Sequence, residues 1–328
     1  MEDKEPADRL REIWPNIKAI FQYWLRLSKS RQPKGKSFDK VKLAVEDPLT
    51  TAKLSFFSYL ASLLEPFLKQ YQTAKPMIPY MHTDLTKMYK AVMKIIIKDD
   101  IVDACSSSEL PKLDMEKSGN LKKPSNFTVG FITSRMIKDL IKKDAIQDTN
   151  IGNFYSNIKV CVTALIKKLN ERSPLLSVVV WSSSIFNPVT MSQVKSTILH
   201  KRLMKLLQHI ESLGLVKASN CDKITSQFSS LKSDVESHPG DLQVMFPEKR
   251  LDEFYFKTMK VGTRYPELSV VLKIILTLSH GQADVERVFS LNKGTLQTSI
   301  GENSIVSKRL VKDHMLTNGL KPHEMDFL

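Results

Sequence analysis

Apolar side chains return at intervals of three and four residues along nearly the whole chain, and that spacing limits it to helices that each bury one stripe. Leu10, Ile13, Ile17, Ile20, Phe21, Trp24 and Leu25 set the pattern. Leu54, Phe57, Leu60, Leu64, Phe67, Leu68 and Tyr71 continue it, as do Met81, Leu85, Met88, Tyr89, Val92, Ile95 and Ile96. One run, Leu175–Trp181, is β-branched and unbroken in the manner of a strand. Everything around it has the helical period, so a helix is expected there as well. The fold class that follows is all-α: an elongated multi-helix bundle.

Punctuation between the stripes sets the boundaries. Residues 7–29 read as a helix that Pro15 should kink or split. A basic loop (Arg31, Lys34, Lys36) leads to Ser37, which is placed to cap a short helix carrying Val41, Leu43 and Val45. Asp47-Pro48 is a cap followed by proline at the first helical position, so a helix should start there and run to Gln72, bent at Pro66. The next helix is expected over 81–98. Residues 104–127, with Ser106-Ser107-Ser108, Pro111, Gly119 and Pro124, read as a long loop holding no more than a helical turn. Helices are expected again over 129–143, 150–170, 191–213 (ended by Gly214) and 221–237, with a further one from Pro247. The helix over 266–278 is apolar almost all round and should be buried. A last helix presents Ile305, Val306, Leu310, Val311 and Met315 behind a capping-box pattern, Ser299 with Glu302. No fixed-period repeat is present. Four segments result: 1–103 helical, 104–127 a linker, 128–260 a helical domain and 261–328 a C-terminal region.

Lysine and arginine number 49 against 35 aspartates and glutamates, a formal net charge of +14. Such an excess points toward nucleic acid or another acidic surface as partner. No apolar run approaches the roughly 18–20 residues of a membrane span, and the charged start, Met1-Glu2-Asp3-Lys4-Glu5, is unlike a signal peptide. Cys105, Cys161 and Cys221 are widely spaced and odd in number, which argues against a disulfide framework and for a reducing compartment.

The stretch from Ser279 to Ser290 is the most informative. Ser279 and Gln282 form a capping-box pattern, Asp284 and Glu286 follow in the first turns, and Val285, Val288 and Phe289 make an apolar stripe. Tyr265-Pro266-Glu267-Leu268, an apolar helix, then Ala283-x-x-Glu286-Arg287-x-Phe289-Ser290 resembles the C-terminal dimerisation region of the hAT superfamily of cut-and-paste DNA transposases. Two upstream segments are similar to the family's helical insertion and its return toward the core: Phe67-Leu68-Lys69-Gln70-Tyr71-Gln72-Thr73-x-Lys75-Pro76, and Leu169-x-Glu171-Arg172-Ser173-Pro174-Leu175.

This resemblance implies a dimerisation or core surface made by Leu268, Leu272, Ile275, Val285, Val288, Phe289, Val306 and Leu310. It makes Glu286 the counterpart of the last acidic residue of a catalytic Asp-Asp-Glu set. Two-metal phosphoryl transfer needs several carboxylates around ions roughly 4 Å apart. In the family the two aspartates come from an RNase H-like sheet ahead of the helical insertion, and no β-rich segment is seen here. Glu286 is therefore expected to be vestigial and the chain non-catalytic, with no cofactor; magnesium belongs to the complete parent transposase. A nuclear setting is likewise implied by the resemblance.

Beyond it, candidates are few. Asp99, Asp100 and Asp103 form an acidic cluster that reads as a solvated helix end, since no histidine or cysteine completes it. The seven histidines show no zinc-ligand spacing, and no nucleophile elbow, P-loop or dinucleotide fingerprint occurs. Basic clusters offer nucleic-acid candidates: Lys201, Arg202 and Lys205 on one helix, Lys249 and Arg250 on another, Lys308, Arg309 and Lys312 on the last. The expected function is protein association, as a homo-oligomer or with a transposase-like partner, together with nonspecific DNA binding; no small-molecule substrate is indicated. The alternatives are a fragment of an active magnesium-dependent transposase and a cytoplasmic helical scaffold with no DNA role.

Overall fold

A computed structural model describes residues 4–28, 31–73, 75–237 and 250–279. Among these residues the fold is all-α, with no strand. Its helices are α1 (Lys4–Arg26), α2 (Lys36–Glu46), α3 (Thr50–Tyr71), α4 (Ile78–Met93), α5 (Asp99–Ala104), α6 (Phe131–Lys142), α7 (Asp148–Arg172), α8 (Val178–Ser183), α9 (Pro188–Gln193), α10 (Ser196–Ser212), α11 (Cys221–Glu236), α12 (Leu251–Glu253), α13 (Val261–Arg264) and α14 (Pro266–Thr277). A π-turn, Phe254–Thr258, follows α12 directly.

The helix at the centre is α4. Its first turn, Ile78 to His82, is buried without interruption, and Leu85, Tyr89, Val92 and Met93 are buried further along. It packs against α3, α5, α7, α8 and α14. One cluster of buried side chains runs from Leu49 to Leu276 and draws on each of the segments distinguished in the sequence. A second, smaller cluster joins α1, α2 and the start of α3 around Trp14, Phe21 and Val45, with Phe21 stacked on Phe38 at 5.1 Å.

Several boundaries differ from those read in the sequence. Pro15 and Pro66 interrupt neither α1 nor α3. Both prolines face solvent, where the carbonyl each leaves without a helical partner can be hydrated. Gly35, at φ 137°, and not Ser37, occupies the cap of α2. The side chain of Asp47 does cap, accepting the Leu49 amide at 2.8 Å, but regular helix begins only at Thr50. The expected helix over 191–213 is two helices, separated by extended residues at Val194 and Lys195. Asn187 caps the first of them, accepting the Val189 amide at 3.0 Å. Helix α10 then ends as Gly214 predicts: at φ 72° it lets the amide of Leu215 bond back to the Ile210 carbonyl at 3.0 Å, a Schellman closure. The β-branched run does form helix α8, started by Ser177, whose hydroxyl accepts the Val180 amide.

The largest difference concerns 104–127. Helix α4 stops at Met93, not near residue 98, because Ile95, Ile96 and Ile97 leave the helix to bond elsewhere. Ile97 forms an antiparallel bridge with Leu121, Lys122 N donates to Ile96 O at 2.9 Å, and Thr128 N donates to Ile95 O at 3.0 Å. Three 3-10 turns, Leu110–Lys112, Ser118–Asn120 and Pro124–Asn126, replace the expected loop. Leu110, Met115 and Phe127 from this segment are buried in the main core. The isoleucine run favours extended pairing for the reason β-branched residues suit strands.

Helix α6 is seated on α3 through a close approach at Gly130. Its φ is 86°, and a Cβ there would stand 2.9 Å from the Tyr59 ring. We expect Gly130→Ala to cost about 1–3 kcal/mol through the left-handed backbone and the ring contact together. Urea denaturation should show a lower midpoint at unchanged slope; an unaltered midpoint would mean that α6 shifts freely.

Candidate functional site

Those segments of the resemblance that fall among the described residues are built into the packing. At Tyr265-Pro266-Glu267-Leu268, proline opens α14 and the residues around it fasten that helix to α11. Gln227 of α11 uses both ends of its amide: its oxygen accepts the Leu268 amide at 2.9 Å and its nitrogen donates to the Glu267 carboxylate. Tyr265 donates its hydroxyl to Asp234, which also pairs with Arg264 at 2.6 Å. Leu268, Leu272 and Ile275 are fully buried within the chain and so serve its own core. Glu286, Val285, Val288, Phe289, Val306 and Leu310 lie outside the described residues, as do Lys249, Lys308, Arg309 and Lys312.

Upstream, Phe67 and Tyr71 stack at 4.4 Å, and Tyr71 and Gln70 both donate to Asp84 of α4 at 3.0 Å. Burial raises the Asp84 carboxyl above its ordinary pKa, against the pull of the Tyr71 and Gln70 hydrogen bonds and Lys87. In the second segment Ser173 meets the Tyr89 hydroxyl at 2.8 Å and Leu175 is buried.

The basic candidates divide. Lys201 and Lys205 project from the exposed face of α10. Arg250 is taken up by Asp252 in a two-pronged pair, Nε to Oδ1 at 3.0 Å and Nη2 to Oδ2 at 2.9 Å. Arg202 leaves the lysine face altogether. It stands three residues after Leu199 and four before Leu206, on the stripe that α10 buries. Its guanidinium lies 5.2 Å over the Trp181 ring and donates from Nη1 to the Ser184 hydroxyl at 2.6 Å. Grouping Arg202 with its lysine neighbours by adjacency misses this; the helical period separates them.

Around Arg202 the fold gathers polar side chains that the sequence did not single out. Ser182, Ser183 and Ser184 close an otherwise apolar run and are all fully buried. Ser182 donates to Val178 O and Ser184 to Trp181 O, whereas the Ser183 hydroxyl has no partner. From α4 comes His82, 7% exposed, with Nε2 at 3.0 Å from the Ser107 hydroxyl. Burial, and then the positive charge of Arg202, push the His82 pKa down to about 4. The serine–histidine contact is therefore a poor nucleophile–base pair: at neutral pH the imidazole is a weak base, and no carboxylate bonded to its ring appears among the described residues.

The acidic cluster is structural. Asp99 pairs with Lys122 at 2.8 Å and Asp103 with Lys94 at 2.7 Å. No group of three or more metal-ligating side chains is gathered among the described residues. A cleft of about 560 Å³ between the α2–α3 turn and α7 is lined by Glu46, Asp47, Lys53, Asn150, Asn153 and Asn157 among others. Its Asp47 is already engaged by Lys53 at 2.5 Å. No helix among the described residues is long and apolar enough to cross a membrane. No family model, curated protein or solved structure matches this chain.

The His82 pKa makes a pH prediction. A histidine whose folded value lies below its unfolded value of about 6.5 gains protons on unfolding. Stability is whole above that range, declines as pH falls from about 6.5 toward 4, and is lost in full below. The contribution is up to about 3 kcal/mol. His82→Gln should flatten the decline in denaturation midpoint between those pH values; a decline as steep as in the wild-type chain would remove His82 as its source.

Proposed function

We propose that this chain is a non-catalytic, transposon-derived helical protein, similar to the C-terminal part of an hAT transposase, that associates with itself or a transposase-like partner and holds DNA by its phosphate backbone in the nucleus. The observation that carries the DNA part is the outward face of α10. Thr197, Lys201, Lys205 and Gln208 are exposed along it. No carboxylate occurs on this helix before Glu211, near its end. Among the described basic candidates the two arginines, Arg202 and Arg250, are both engaged by groups of the protein itself. On the outward face of α10 what remains is lysine, a point charge without a fork, which suits phosphate contact without sequence readout. The formal charge of +14 supports the same reading. The association part rests on the resemblance and on apolar side chains left exposed, such as Val270 and Leu278 at the end of the chain described.

Fluorescence anisotropy with two short duplexes of unrelated sequence tests the reading. Both should bind equally, and log K should fall linearly with log salt between about 50 and 200 mM. Replacing Lys201 and Lys205 together by alanine should weaken binding to both duplexes and reduce the slope by about 2. Salt-independent binding, or none at low salt, would leave the scaffold alternative. Magnesium-dependent nicking of a duplex, lost in Glu286→Gln, would instead make the chain catalytic.

A further inference from the structure

The cleft between the α2–α3 turn and α7 has one wall of a single chemical kind. Asn150, Asn153 and Asn157 line it from α7. They stand at helical spacing, three and then four residues apart, so one face of the helix turns a row of carboxamides into the cleft. The oxygen of Asn150 accepts the Gln147 amide at 3.0 Å, which leaves its NH2 group to donate outward. Asn153 and Asn157 are exposed, and neither side chain takes part in a hydrogen bond among the described residues. Asparagine is a poor helix former, because its side chain competes for the backbone. Exposed positions at the other end of α7 hold Lys167, Lys168 and Glu171, which are good ones. Helix stability therefore does not account for the amide row.

The rest of the cleft suits a ligand. Its volume is about 560 Å³, and the buried side chains of Leu49 and Phe154 give it an apolar floor. The opposite wall brings Glu46, Asp47 and Lys53. Asp47 and Lys53 neutralise each other at 2.5 Å. Glu46 meets Lys42 at 4.0 Å, the outer edge of an ion pair, with its side chain 51% exposed. The wall is thus net negative on a chain whose formal charge is +14.

We propose that this cleft binds an extended peptide segment by its backbone, with a lysine or arginine side chain of that segment set against Glu46. A carboxamide carries the same N–H and C=O groups as a peptide bond, so asparagines pair with a backbone whatever side chains it bears. The row spans about 10 Å along α7, the length of about three residues of extended chain. Main-chain bonds of this kind supply affinity, and the groups beside them select, here for positive charge. Carboxylates across the cleft repel phosphate, so the site is separate from the lysine face of α10 and does not rest on the DNA reading.

The test uses the full chain and three short fluorescein-labelled peptides. One alternates threonine, which favours extended backbone, with lysine. The second is the same peptide N-methylated along its backbone, and the third alternates threonine with glutamate. Anisotropy is read at about 150 mM salt, where long-range attraction is screened. The lysine peptide should bind, and N-methylation, which removes donors and keeps the charge, should weaken it about tenfold. Asn153→Ala combined with Asn157→Ala should cause a similar loss at an unchanged or higher melting temperature, since alanine is the better helix former. Glu46→Gln should narrow the preference for the lysine peptide over the glutamate peptide. Lys201→Ala with Lys205→Ala should leave all three affinities as they were. An N-methylated peptide that binds as well as its parent overturns the proposal in the wild-type protein, whatever the variants do. So does a lysine peptide that fails to bind, or one indifferent to the asparagine pair. A single-stranded oligonucleotide whose binding is lost with that pair would overturn it in favour of bases as the occupant.

Discussion

Burial of the first turn of α4 is the constraint on which the rest depends. Five consecutive residues, Ile78 to His82, are all buried, so neighbours must cover this turn on every side. Helices α3, α8 and α14 and the 3-10 turn at Ser184–Phe186 provide that cover. A histidine inside such a turn loses most of its hydration. It must be neutral and bonded within the protein, and Ser107 provides the bond. The same enclosure explains why 104–127 is fastened down. It brings Ser107 to His82 and sends Leu110 into the core, and Leu121, on its way back, bridges Ile97 in the isoleucine run that follows α4.

Polar groups inside this core do two kinds of work. Most are internal fastenings: Gln227 across the start of α14, Tyr71 on Asp84, and Tyr255 on the Phe186 carbonyl at 2.8 Å. Each satisfies a group whose desolvation would otherwise cost on the order of 1–3 kcal/mol. The Arg202 group is of the other kind, because its bonds are incomplete and no carboxylate pairs with it among the described residues. The hydroxyls of Thr133, Thr163 and Ser183 are likewise buried without a partner among the described residues.

Residues that look alike in sequence have separate fates. Lys201, Arg202 and Lys205 form one basic cluster by adjacency, yet a rotation of about 100° per residue turns the middle one inward. Arg250 looks free beside Lys249, and Asp252, two positions on, holds it in a two-pronged pair. In the Tyr265-Pro266-Glu267-Leu268 segment the same four residues carry the family resemblance and the anchoring of α14. Leu268, Leu272 and Ile275 serve the interior of a single chain. Packing within one chain and packing between two chains draw on the same side chains, so pattern cannot separate them.

The amino-acid order alone determined the all-α class, the stripe that α4 buries, and the ends marked by special backbone geometry, as at Gly214 and Ser173-Pro174, whereas Ile13 and Ile20 of the stripe expected in α1 and Phe57 and Leu68 of that in α3 stay exposed. These are local matters: a period of 3.6 residues, a positive φ and a missing amide hydrogen act wherever they occur. Tertiary structure decided the end of α4, the break between α9 and α10, the ordering of 104–127 and the meeting of His82, Ser184 and Arg202. Those depend on partners far away in sequence. Ile97 needs Leu121 to leave its helix, and Arg202 needs Trp181 and Ser184 to be drawn inside. No rule of local spacing contains a partner's position, because burial is a property of the assembled core and not of the segment that enters it.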